Sequence, residues 1–291
     1  MTGLRRGKNT DSIYFNEDKY TRSASREEFM LQNVLEAFKR KKYFMEYQPI
    51  VGNRDRIIHG AELLLRLNDP FTNAPLNIGE AINIVTKHNR IDLVAEAMTD
   101  CLDKLFQVAD LPFFKSMGLE HLSVNVDYQT LSDKAFVDSF ASLTKKHSVP
   151  KGFICFEVPE SDVMDHYDDF RNLKFEDEVL VCDQYRGELL RLDQLQVLGF
   201  KEVKMSRDVI LNIINDDVAL QRANDVWKDA NNLGVSVTFV GVEKRQQADL
   251  LHDDTRDSGF QGRFFYSPMS EEKFFKTLRE TSIKEIADLD N

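Results

Sequence analysis

Five residues with chemical potential fall at or near the ends of short apolar runs: Asn125, Glu157, Asp183, Lys204 and Gln261. Two more lie inside an apolar run, where period-two geometry puts Ile58, Gly60, Glu62, Leu64 and Arg66 on one face of a strand. A carboxylate and a guanidinium on a strand this apolar are costly to bury unless each finds a partner or a ligand. Taken singly, the strand-end residues read as caps for the following loop, and Glu62 and Arg66 as partners of other buried charges. Taken together they supply three carboxylates and the Asn125 amide, the hard oxygen ligands that Mg²⁺ or Mn²⁺ prefers. Arg66 and Lys204 add cations suited to phosphate oxygens. The combination predicts metal-assisted phosphoryl chemistry or phosphate-ester binding.

These groups converge only if the fold delivers them to one rim. From Glu27 to Lys41 the apolar positions recur at helical spacing, and Tyr43–Val51 and Ile57–Leu67 read as a β-hairpin across the polar turn Gly52-Asn53-Arg54-Asp55. After it, helical stretches alternate with short apolar strands. Helices fit Gly79–His88, Leu93–Phe106, Lys134–Lys146, Arg207–Leu233, Arg245–Leu251 and Glu271–Arg279. Strands fit Leu122–Asn125, Phe153–Val158, Val179–Asp183, Glu202–Met205 and Val235–Val240, with a last short one around Gln261. Such alternation is the signature of parallel βα units. No Pro/Gly/Ser linker divides the series, so the expected fold is one closed α/β barrel over residues 26–291, with the polar strand ends on its C-terminal rim.

The rest of the composition narrows the ligand. The 291 residues carry 38 basic and 49 acidic side chains, and a net charge of −11 repels nucleic-acid backbone, which argues against general nucleic-acid binding. The hydrophobic share of 42% suits a globular core. No apolar run reaches the ~20 residues of a membrane span, and the opening stretch lacks a signal-peptide core, so the expected location is cytoplasmic. Cys101, Cys155 and Cys182 are scattered through apolar contexts and read as reduced core residues. Residues 1–25 are polar and without period, and are expected to form a flexible extension.

The motifs YQPIV (47–51), GAELLLR (60–66), SVN (123–125), FEVPES (156–161), VCDQY (181–185), KMS (204–206), GVE (241–243) and QGRFFYSP (261–268) occur in one order. In order and spacing they resemble the EAL family of cyclic di-GMP phosphodiesterases, and the likeness covers about residues 27 to 280. The resemblance implies a modified TIM (β/α)8 barrel with one antiparallel strand and cleavage of cyclic di-GMP by two divalent metals. It also implies that Glu62, Asn125, Glu157 and Asp183 hold the first metal, with Asp183 facing the second. By the same likeness Arg66 meets a ligand phosphate, Gln48 a guanine edge, and Lys204 orients the water with Gln261 beside it. Glu160 supports the loop that carries the second-metal ligands.

The departures from the family pattern cluster at that second metal. Its paired aspartates appear as Asp183-Gln184, a glutamate near the end of the seventh strand is Val240 although Glu243 remains, and the aspartate after the lysine is Ser206. One Mg²⁺ or Mn²⁺ is expected and the second is doubtful. Two readings follow: a degenerate domain that binds cyclic di-GMP or a protein partner, or a working phosphodiesterase whose second metal is held by Gln184 with Glu188 or Glu243. A homodimer is a further expectation. It rests on the many apolar groups of the Arg207–Leu233 stretch and on the loop from Gln184 to Glu188, near which EAL domains often dimerise.

Overall fold

The computed structural model describes residues 26–109, 111–173, 178–253 and 258–289. The expected extension over residues 1–25 lies outside them. Eight strands close a barrel in chain order: β1 (Tyr43–Gly52), β2 (Ile58–Leu67), β3 (His121–Asn125), β4 (Ile154–Pro159), β5 (Val179–Tyr185), β6 (Phe200–Met205), β7 (Ser236–Val240) and β8 (Ser258–Gln261). Each neighbouring pair from β2 to β8 is parallel, whereas β1 meets β8 antiparallel, with Val51 opposite Phe260 and Gly52 opposite Gly259. The turn between β1 and β2 is closed by Gly52 N–H donating to Ile57 C=O at 2.8 Å. The modified barrel expected from the motifs is therefore the fold observed.

The chain divides into two compact units. The smaller runs up to Phe44 and includes Arg66–Ala97. In it, a helix over 26–39 buries Val34, Ala37 and Phe38, and the helix Ile78–Lys87 buries Ala81, Ile84 and Val85. Asn33 Nδ2 donates to Asp69 Oδ2 at 2.7 Å, and the other oxygen of Asp69 accepts from Phe71 and Thr72 N–H. The larger unit, Met45–Leu65 with Met98 onward, carries the strand ends that matter for chemistry.

Period-two geometry sorts the side chains of the larger unit. On β4, Phe156 points outward and packs on Phe140 and Phe136 of the helix Lys134–His147, which turns Cys155 and Glu157 inward. On β8, Phe260 packs against Phe239 of β7, which turns Gly259 and Gln261 inward. Inward residues thus alternate with an outward apolar set, and the inward layer nearest the C-terminal rim is polar.

The expected helix Arg207–Leu233 is two helices, Arg207–Asn212 and Asp217–Leu233. Asp216 takes extended backbone (φ −136°, ψ 101°), and its carboxylate accepts from Val218 and Ala219 N–H at 2.9 and 3.2 Å, so it caps a new helix instead of continuing the old one. Val209, Ile210, Ile213 and Val226 are buried within the larger unit, while Val218 is 71% exposed. The last helix runs Glu271–Leu289, beyond the Arg279 expected. Five helices of four to six residues, among them Glu160–Asp165 and Leu192–Val197, have no counterpart in the sequence reading. Among the described residues no helix is long and apolar enough to cross a membrane.

Candidate functional site

The inward ends of β2, β3, β4, β6 and β8 meet around one lysine. Lys204 Nζ lies 2.5 Å from Glu62 Oε2 and 2.7 and 2.8 Å from the two oxygens of Glu157. Lys204 and Glu157 are each 1% exposed, so water does not replace the ammonium at Glu157. Asn125 Nδ2 donates to Glu62 Oε1 at 2.6 Å, and Gln261 Nε2 donates to Glu62 Oε2 at 2.7 Å. Ser123 Oγ donates to Glu157. Gln261 Nε2 also reaches Gln48 Oε1 at 3.4 Å, and Gln48 Nε2 donates to Tyr266 C=O at 3.4 Å.

One ammonium cannot neutralise two carboxylates, and the two respond in opposite directions. Burial opposes the charge on Glu62, but the charge of Lys204 and hydrogen bonds from Lys204, Gln261 and Asn125 outweigh it, holding this carboxyl below its ordinary value. Burial, reinforced by the neighbouring Glu62 charge, pushes Glu157 up to about 8 despite Lys204. Burial raises Asp183 as well, against the pull of Lys204. Lys204 itself is raised, because Glu157, Glu62 and Asp183 overcome the penalty of its own burial.

A second arrangement organises the loop after β5. Buried Glu160 accepts from the N–H groups of Arg186 (3.0 Å), Leu189 (3.3 Å) and Leu190 (3.2 Å), and Tyr185 OH donates to Leu190 C=O. Gln184, at the end of β5, is exposed and adopts a left-handed backbone (φ 53°), while Asp183 before it is half-buried. Ser206 Oγ donates to Asp208, whose other oxygen accepts from Arg186 Nε at 3.0 Å. Glu243 accepts from Arg207 Nη2 at 2.7 Å, and Glu188 from Arg222 Nη1 at 2.7 Å. Val240 closes β7 with an apolar side chain opposite Gln261 in the register.

Glu62, Asn125, Glu157, Lys204, Gln261 and Gln48 are thus brought together by direct hydrogen bonds. Asp183 acts on that cluster through its charge, and Arg66, next to last in β2, falls within the smaller unit. The sequence reading did not anticipate Ser123 as a partner of Glu157 or Asp208 as the tether of Ser206 and Arg186. Ser123 sits at the period-two spacing before Asn125, which was the available signal.

The donor set of Glu62, Asn125, Glu157 and Asp183 is hard oxygen, and Gln261 Oε1 lies buried beside it with no partner among the described residues. In kind these groups suit a divalent cation. In arrangement, no group of three or more His, Cys, Asp or Glu side chains among the described residues is spaced to hold a metal, and Lys204 occupies the space between Glu62 and Glu157.

The EAL domain model matches residues 31–268, most of the chain and every strand named above. This protein belongs to the EAL domain family. It is related to cyclic di-GMP phosphodiesterases: it is 24% identical over 235 residues to the cyclic di-GMP phosphodiesterase RocR of Pseudomonas aeruginosa, a match covering 78% of this chain and 58% of RocR. The chain therefore spans little more than half the length of that relative. Among solved structures it resembles the EAL enzyme Bd1971 in its cGMP-bound form, with a TM-score of 0.76 and 20% identity over 92% of this chain and 74% of that one. It also resembles the PaMucR phosphodiesterase in complex with c-di-GMP, with a TM-score of 0.74 and 20% identity over 84% of this chain and 99% of that one. At these identities the likeness to solved structures establishes the EAL barrel.

Proposed function

We propose that this EAL domain acts in cyclic di-GMP signalling by binding the dinucleotide or a protein partner at the rim of its barrel, not by hydrolysis. The supporting observation is the state of the acids around the ends of β5, β6 and β7. Gln184 is a neutral amide, Val240 has no ligand atom, and the hydroxyl of Ser206 is taken by Asp208. The acids that the other reading puts in their place each face an arginine, Glu188 at Arg222 and Glu243 at Arg207. Asp183 is left to face a second cation with little compensating charge, and two dications side by side repel unless carboxylates offset them.

A divalent cation at Glu62, Asn125, Glu157 and Asp183 belongs to this proposal, with Lys204 ceding a contact to it. Held there, with Lys204 displaced, it would supply a Lewis acid for a phosphate oxygen. If loss of the second metal removes even ~4 kcal/mol of transition-state stabilisation, the rate falls about a thousandfold. The other reading, an active phosphodiesterase, draws on the activity named for RocR and PaMucR and on the intact Glu62, Asn125, Glu157 and Lys204. Incubation of the protein with cyclic di-GMP and Mn²⁺ separates the two. The expected outcome is binding heat without linear pGpG; steady accumulation of pGpG would establish the enzyme, and absence of both would leave the protein-partner arm.

A further inference from the structure

The opposite end of the barrel holds a polar cavity of about 510 Å³ that the family assignment does not use. Barrel floors are ordinarily filled by branched apolar side chains. Here the cavity is walled by Arg54, Asp55, His59, Glu120, His121 and Glu202, with hydroxyls from Thr238, Ser236 and Ser258. All of these residues belong to the larger unit. Glycines make the room. A Cβ on Gly259 would stand 2.6 Å from Thr238 Oγ1 and 3.0 Å from Ile50, a Cβ on Gly60 would strike the His121 ring, and one on Gly52 would meet His59.

Several of the wall groups are already oriented by neighbours. His59 Nε2 lies 2.8 Å from Asp55 Oδ2, and its Nδ1 lies 3.6 Å from Glu120. Thr238 Oγ1 donates to Glu202 Oε1 at 2.6 Å, which leaves the other Glu202 oxygen without a hydrogen bond among the described residues. The His121 ring likewise has no hydrogen-bond partner among the described residues. Burial keeps it below the ordinary histidine value against the pull of Glu202 and Glu120, so it offers a lone pair as well as an N–H.

We propose that this floor cavity is a second binding site, distinct from the strand-end cluster, for a small organic cation carrying an ammonium or guanidinium group. Among the described residues three wall carboxylates face one arginine, a balance that favours a cation and repels a phosphate or carboxylate. The volume falls within the range of small-molecule pockets and far exceeds the ~30 Å³ share of one water. A bare metal ion fits less well, because Asp55 and Glu202 are each turned toward another partner and no three ligand side chains converge among the described residues. An ammonium or guanidinium needs only what is present: the free Glu202 oxygen, the His121 lone pair and the exposed Glu120 carboxylate.

The probes are agmatine and putrescine, titrated calorimetrically into the full chain at low salt, with Zn²⁺ and inorganic phosphate titrated in parallel. The expected result is saturable one-site binding of at least one amine and none of phosphate. Glu202→Gln keeps an acceptor for Thr238 and is expected to weaken the amine at least about tenfold. His121→Phe, of similar size but without a lone pair, gives an independent measure of the same loss should the first variant fold poorly. Absence of heat with both amines, equal affinity in wild type and both variants, or stoichiometric Zn²⁺ binding that excludes the amines would each overturn the proposal.

Discussion

At the scale of single residues, the cluster around Lys204 sets a charge problem that the protein solves by splitting its two glutamates. Glu62 takes the ammonium and stays ionised, while Glu157, boxed in by burial and by the Glu62 charge, holds its proton up to about 8. Unfolded, Glu157 titrates near the ordinary value of 4.5. Between these values the folded chain binds the extra proton, so this contribution to stability is fully present below 4.5 and is lost as pH rises through about 8. Glu62 works the other way, and its contribution is lost only in acid, outside that window. The expected result, in chelator, is that urea-derived stability falls between about pH 5.5 and about pH 8.5 by on the order of 2–4 kcal/mol more in wild type than in Glu157→Gln. Parallel pH dependence in the two proteins would mean that Glu157 is ionised in the metal-free fold.

At the scale of elements, the break at Asp216 decides where two helices lie. Ile213, Ile214, Val218 and Leu220 keep an apolar helical period across the break, so periodicity alone joins what a capping carboxylate separates. Asp216→Ala removes acceptors for Val218 and Ala219 N–H and is expected to cost about 1 kcal/mol in urea unfolding with an unchanged slope. A cost within error of zero would show that the helix starts by packing alone. The same example explains what the sequence made legible. The barrel strands announce themselves because an apolar run ending on a polar group needs no partner information; Asn125, Glu157 and Lys204 were found that way, and Glu62 as a charge inside an apolar run. Helices of four to six residues span barely one turn, too little for a period to register. The pairing of Glu188 with Arg222 and of Glu243 with Arg207 joins residues 34 and 36 positions apart, which no local pattern encodes. Both are exposed ion pairs, and they involve the two acids on which the hydrolytic reading draws.

At the scale of the molecule, a chain of net charge −11 that binds an anionic dinucleotide as proposed must keep positive charge local to the rim. Lys204 contributes little to that, since it is buried between two carboxylates; exposed arginines and any bound cation must do it. Restoring acids at Gln184 and Val240 therefore has two opposed effects. It adds negative charge that disfavours the bare ligand, and it adds the carboxylates that let a second dication settle beside Asp183. Under saturating Mn²⁺ the second effect is expected to dominate, because the cation overcompensates each acid that binds it. The Gln184→Asp, Val240→Glu double variant should then produce linear pGpG from cyclic di-GMP where wild type produces none above a metal-free blank, with a gain of at least about a hundredfold, or ~2.7 kcal/mol of barrier. In chelator the same variant should bind cyclic di-GMP more weakly than wild type, since only the repulsion remains. Rapid turnover by wild type would overturn the binding-only reading. A double variant that takes up two Mn²⁺ per chain yet stays inert would move the proposed defect to Ser206, whose hydroxyl is held by Asp208 and where the family resemblance implies a carboxylate.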